Sequence, residues 1–154
     1  PIFLSKEMTY FKASHFPKYS IWDHKRKNYI HLLLSADTVI IDLRDNSPHS
    51  FKGYFSKYLY EKGVYIDHLI TLKKVTKLGE YTKLKSEIHG GNKTKFNGLL
   101  VLLVNSNTGS IGEFTAMVLQ HYKNCITVGT PTWGASGYSH SITAGYLIMS
   151  QYTV

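Results

Sequence analysis

Cysteine is almost absent. Cys125 stands alone in 154 residues, which rules out a disulfide framework and a zinc site built on several thiolates. Long apolar stretches are missing too. No run reaches the roughly 18 residues that a membrane-spanning helix needs, so no membrane segment is expected. The chain opens at Pro1 with neither an initiator Met nor a secretory leader, so anything upstream is expected to have been removed or left out. Acidic residues are few, 10 against 18 Lys and Arg, which leaves a formal net charge of +8 and favours acidic partners. The basic residues are scattered, however: Lys25-Arg26-Lys27, Lys73-Lys74, then Lys77, Lys83, Lys85, Lys93 and Lys95. No nucleic-acid motif accompanies them, so they read as solvated faces and no nucleic-acid partner is expected. Internal repeats and linkers are absent as well.

A hydrophobic content of 43% with 18% charged residues describes a folded chain of one domain, residues 1–154, large enough for a core. Three short runs are continuously apolar: Thr38 to Leu43, Gly98 to Val104, and Ile126 to Gly129. That pattern suits strands of a parallel sheet covered on both faces. Helical spacing lies between them. Ile21 to Leu34 precedes the first run. Phe51, Tyr54, Phe55, Tyr58 and Leu59 form one helical face with Gly63 as its stop, and Ile111, Phe114, Val118 and Tyr122 form another. A strand is predicted within Met8 to Phe16 and a hairpin over Ser139 to Tyr152. Lysine-rich Thr71 to Asn97 is weakly patterned and reads as a surface excursion or flap. Strands alternating with helices imply an α/β fold, a mainly parallel sheet flanked by helices.

Ligands of open parallel sheets bind beyond the carboxyl ends of the strands. The three runs exit into Arg44 to His49, Asn105 to Ser110 and Gly129 to Gly137, all rich in Gly, Asn and hydroxyls. A hydroxyl nucleophile fits that setting better than a metal, for which no ligand cluster exists. Ser110 opens a helix, where free N–H groups and the dipole would stabilise an oxyanion. Ser110-Ile111-Gly112-Glu113 also has capping-box spacing, so Ser110 can equally be read as a helix cap. Gly90-Gly91-Asn92-Lys93-Thr94 lacks the order of a phosphate loop, and its Asn92-Lys93-Thr94 sequon matters only in a eukaryotic secretory pathway.

Val104-Asn105-Ser106-Asn107-Thr108-Gly109-Ser110-Ile111-Gly112-Glu113 resembles the nucleophile element of the tail-specific (carboxyl-terminal processing) and tricorn serine peptidases, commonly Ser-Ala-Ser-Glu at its centre. Leu119-Gln120-His121-Tyr122 resembles their Leu-Gln-Asp-Tyr, Val128 to Gly134 their Val-Gly-Glu-Pro-Thr-Phe-Gly, and Ile40 to Asn46 their Leu-Ile-Asp-Leu-Arg-Gly-Asn. The resemblance spans roughly residues 8 to 150. It implies a crotonase/ClpP-like protease core, polypeptide substrates bound as an added strand, and no cofactor. It makes Ser110 the nucleophile of an acyl-enzyme and Ile111 an oxyanion donor, with a second donor near His49. The family's glycines are Ser47, Pro48 and His49 here, and Pro48 has no N–H.

The tail-specific lysine, directly after Thr-Phe-Gly, is replaced by Ala135. The tricorn-like branch uses a histidine from upstream and a glutamate from downstream, so the chain is expected to be a fragment of a larger enzyme. Among internal histidines, His15 is the first candidate for the base and His140 the second. Asp42 and Arg44 are expected to hold their loop, and Trp133 to be core or pocket wall. An extracytoplasmic or envelope location rests on the resemblance alone. A non-catalytic peptide- or ligand-binding module of the same fold is the alternative, favoured by Ala135 and the missing glycines.

Overall fold

The computed structural model describes residues 2–16, 28, 30–45, 49–61, 64–74, 81–88, 90–91, 96–135, 138–144 and 147–153. Strands β1 (Ile2–Phe3), β2 (Met8–Lys12), β3 (Thr38–Asp42), β6 (Leu99–Val104) and β7 (Cys125–Gly129) form one sheet in the order β1-β2-β3-β6-β7. β2, β3, β6 and β7 are parallel, and β1 joins the edge antiparallel. Strands β4 (Val64–Lys74) and β5 (Tyr81–Ile88) pair antiparallel as a separate two-stranded sheet. So do β8 (Tyr138–Ala144) and β9 (Leu147–Thr153), the hairpin expected near the end of the chain. The α-helices are α1 (His49–Leu59) and α2 (Ile111–Leu119); residues 28 and 30–33 are also helical. This is the α/β fold expected from the alternation of apolar runs and helical spacing.

Register puts Phe11 opposite Ile41 and Ile41 opposite Leu102, so one face of the sheet carries Phe11, Val39, Ile41, Leu100, Leu102 and Val104. All six are buried in one core with Phe51 and Phe55 of α1 and Ala116, Val118 and Leu119 of α2. Phe51 stands 5.3 Å from Phe11 and 5.5 Å from Phe55, ring centre to ring centre, so aromatic contacts join α1 to the sheet. The Tyr60 hydroxyl donates to the Val118 carbonyl, and Tyr122 donates to the carbonyls of Phe96 at 2.9 Å and Gly98 at 3.1 Å. These bonds tie the ends of both helices to the frame.

Three sequence expectations change. The strands are not covered equally on both faces: Leu99 is 38% exposed, and Ile126 and Val128 are 49% and 50% exposed on the edge strand β7. Continuous apolarity reports a strand's composition, not what packs on each side. The excursion at 71–97 contains β5 and the end of β4, whose backbones pair with each other rather than with the main sheet. The strand predicted over Met8 to Phe16 ends at Lys12 and passes into a 3-10 turn, Ala13–His15. Gly63 and most of the helix expected over 21–34 lie outside the described residues. No helix among the described residues is long and apolar enough to cross a membrane.

Candidate active site

Because β3, β6 and β7 are adjacent and parallel, their exits share one edge of the sheet. Hydrogen bonds join them there. Thr108 donates its hydroxyl to the Leu43 carbonyl at 2.9 Å, linking the second exit to the first. Trp133 N–H donates to the Thr108 carbonyl at 3.0 Å, and Ser110 N–H to the Ala135 carbonyl at 3.1 Å, linking the third exit to the second. Two glycines permit this closeness. A Cβ on Gly109 would lie 2.2 Å from the Trp133 ring, and one on Gly129, at φ 140°, would lie 1.8 Å from the Val104 carbonyl oxygen.

At the first exit, buried Asp42 accepts the Arg44 backbone N–H at 3.0 Å, the guanidinium at 2.9 and 2.8 Å, and the Tyr10 hydroxyl. Burial alone would raise its pKa, but the bonds from Arg44 and Tyr10 prevail and hold it at about 2. Asp42 and Arg44 therefore brace the loop, as expected.

Ser110 is exposed and stands at φ 47°, ψ −112° immediately before α2. It is the only non-glycine at positive φ among the described residues. An ordinary N-cap is extended, with its side chain bonded to the first turn. Ser110 is not extended, yet both halves of a capping box are in place: its side chain faces the Glu113 N–H, short of a regular hydrogen bond, and the Glu113 side chain reaches back to the Ser110 N–H. The bond that closes is Glu113's, from Ser110 N–H at 3.1 Å. The Ile111 N–H has no acceptor among the described residues and is one of the free donors of the helix start.

Glu113 does more than its spacing suggested. One carboxylate oxygen accepts the Thr132 hydroxyl at 2.7 Å and Gly134 N–H; the other accepts Ala135 N–H at 2.9 Å as well as Ser110 N–H. Burial opposes its charge, yet these four donors hold its pKa below the usual carboxylate range. The carboxylate thus clamps residues 132–135 to Ser110, the residue just before α2.

Ala135, where the tail-specific lysine would stand, lies directly against Ser110 through that backbone bond. His49 is the first residue of α1, at the exit of β3, and residues 46–48 lie outside the described set. His15 ends the 3-10 turn after β2, exposed, on the correct edge of the sheet. β3 separates its strand from β6, and no hydrogen bond joins His15 to Ser110. His140 lies in β8, where the described residues give backbone only. Trp133 is not core: it is 69% exposed.

Lys52, unremarked in the sequence, places its ammonium 3.3 Å from the centre of the Phe114 ring, and burial lowers its pKa to about 8. The Cys125 thiol sits at the opposite end of β7 from these loops, and burial pushes it up to about 11, which makes it a poor nucleophile. No cluster of three or more His, Cys, Asp or Glu that could hold a metal occurs among the described residues.

The sequence model of peptidase family S41 matches residues 8–154. No curated protein sequence matches the chain. Solved structures do. A lipoprotein from Streptococcus agalactiae superposes with a TM-score of 0.60 at 15% identity, over 98% of this chain and 56% of that one. A candidate peptidase from Parabacteroides merdae ATCC 43184 gives 0.66 at 15% identity, over 88% of this chain and 44% of that one. Mature CPAF complexed with lactacystin gives 0.63 at 14% identity, over 93% and 41%. The chain thus spans about half the length of these structures. At such identities the likeness shows a shared fold.

Proposed function

Because the chain belongs to peptidase family S41, we propose that it carries the nucleophile of a serine peptidase acting on polypeptides, with Ser110 as that nucleophile. The observation that carries this reading is the backbone of Ser110. A non-glycine at φ 47° is strained by roughly 1–3 kcal/mol, and strain of this kind collects at functional sites. A sharp strand-to-helix turn that exposes a serine at a helix N-terminus is also how unrelated hydrolases present their nucleophile.

In the proposed reaction the Ser110 hydroxyl oxygen attacks the scissile carbonyl carbon while a base takes its proton. The oxyanion is held by Ile111 N–H and, from the β3 exit, by His49 N–H. Collapse expels the amine with that proton and leaves an ester on Ser110, which water hydrolyses. His15 is the base candidate within the chain, reaching the site from two strands away. No cofactor takes part. One similar structure is a lipoprotein, in keeping with an envelope location.

A second reading keeps the fold without the chemistry. Ala135 beside Ser110 favours it, because the residue best placed to carry an amine carries a methyl group. A fluorophosphonate probe separates the two: the Ser110 oxygen bonds to phosphorus as a base takes its proton, and fluoride leaves without needing one, so only an activated Ser110 is labelled. Mass spectrometry should find the adduct on Ser110 and none in Ser110→Ala. The Ser110→Ala protein should stay folded, giving up at most the weak side-chain half of its capping box, about 0.5 kcal/mol. An unlabelled Ser110, or a loss of roughly 1–2 kcal/mol in Ser110→Ala, would return the residue to a capping role.

A further inference from the structure

Trp133 is the most exposed of the large apolar side chains among the described residues, at 69%. Large exposed apolar groups are a liability that folded chains keep mainly where something binds. Its backbone, by contrast, is fixed. Trp133 N–H is bonded to Thr108, and both neighbours, Thr132 and Gly134, are held by Glu113. The indole lies against Gly109 so closely that any side chain there would strike its benzene edge. Gly109 directly precedes Ser110, and consecutive Cα atoms are about 3.8 Å apart. One part of the ring thus rests on the residue next to the candidate nucleophile, and much of the rest faces solvent.

We infer that Trp133 is a specificity-determining residue: a fixed apolar platform that receives a large apolar or aromatic side chain flanking the scissile bond. The inference deepens the serine-peptidase reading and rests on it. A side chain adjacent to a carbonyl that Ser110 attacks sits beside the Ser110 turn, and the indole stands on Gly109, the residue before it. The loop is ordered before substrate arrives, so stacking there costs little further entropy. A short polar or acidic side chain would gain nothing from the ring. Aromatic stacking plus buried area predicts a preference of about tenfold or more for Phe or Leu over Ala.

Two measurements test this separately from the chemistry. The first uses binding alone. In a Ser110→Ala, Trp22→Phe protein, Trp133 is the sole indole, and its emission reports its surroundings. Unfolded polypeptides with Phe or Leu should blue-shift it and shield it from iodide, whereas Ala- or Asp-substituted versions should not. Emission that is already blue-shifted and shielded without peptide would mean the protein or a second copy covers the ring, which overturns the proposal. So would an equal response to all peptides.

The second uses peptidyl phosphonates carrying Phe, Leu, Ala or Asp beside the phosphorus, with a small alkyl fluorophosphonate as control. Wild type should prefer Phe or Leu by about tenfold, and Trp133→Ala should bring that ratio below about threefold, each rate being taken relative to the control in the same protein. Should Trp133→Ala also lose the control reaction, Trp133→Phe decides, because it keeps the ring on Gly109: a retained preference supports the platform, and a flat profile overturns it. Failure of every probe on wild type, with the fluorescence response intact, defeats the Ser110 reading and leaves the platform standing.

Discussion

Glu113→Gln is the most informative single change at this edge of the sheet. The carboxylate accepts four donors, two on each oxygen. A carboxamide keeps one oxygen and sets an NH2 against the other two donors, so at least two charge-assisted bonds are lost whichever way it turns. Such bonds contribute about 1.5–3 kcal/mol each. Gly134, Ala135 and Ser110 are exposed, so water can take over part of the loss, and a net destabilisation of about 2–4 kcal/mol is expected. In a domain of this size that lowers Tm by roughly 4–16 °C.

The signature extends to pH and to the nucleophile. The folded pKa of Glu113 is depressed from an ordinary 4.5, so its contribution is complete above that value and lost as pH falls through the folded pKa. The gap between wild type and Glu113→Gln should therefore close on acidification. Fluorophosphonate labelling of Ser110 should slow by more than about tenfold at pH 7 while the protein remains folded, because the turn is no longer clamped. Equal Tm and equal labelling rates in the two proteins would refute the clamp outright.

Two further outcomes rest on charges around the site. Lys52→Met should raise stability at pH 7 by about 1–2 kcal/mol, the desolvation cost of a lysine lowered from 10.5 to about 8 less its attraction to the Phe114 ring. The unfolded chain holds that proton across this window, so the advantage should shrink as pH rises from about 8 to 10.5; urea titrations at pH 7 and 10 check it, and a constant difference counts against the buried cation. Asp42, held at about 2 against an ordinary 3.8, should cost wild type about 2 kcal/mol as pH falls through that interval, and Asp42→Asn should show no such acid-dependent step in the same titration.

Elements with local signals were legible in the sequence. The apolar runs of β3, β6 and β7, the helical spacing of α1 and α2, and the turn-rich exits all depend on residues close in the chain. Their convergence followed from parallel pairing alone. Asp42 and Arg44 were readable for the same reason, because a carboxylate two residues before a guanidinium can fold back on it. What escaped was non-local. Glu113 looked like one half of a capping box because its bond to Ser110 spans three residues, whereas its partners at 132–135 are about twenty residues away. Trp133 read as core or wall because aromatic character does not report exposure. In β5, Lys83, Lys85 and Glu87 alternate with Leu84, Ser86 and Ile88, a period-two signal that the high lysine content obscured.

The same distinction separates what the site holds from what it lacks. Positioning is provided by this chain's own backbone and one carboxylate: a strained serine, a clamped loop, and an Ile111 N–H without an acceptor among the described residues. Of Ser110's own groups, the N–H is already taken by Ala135 and Glu113, so it cannot serve an oxyanion; the donor must come from the following residue. Proton transfer is another matter. A base within direct reach must come within about 2.6–3.2 Å of the serine hydroxyl, and Ala135 shows that the loop nearest Ser110 does not bring one. Glu113 is no substitute. Four donors saturate its oxygens and depress its pKa, so it holds geometry and is a weak proton acceptor. The proton must therefore go to a group other than Glu113, and Ser110 is exposed enough for one to approach. His15, exposed on that edge of the sheet one strand beyond β3, is the proposed base, and His15→Ala should slow labelling of Ser110 if that proposal holds.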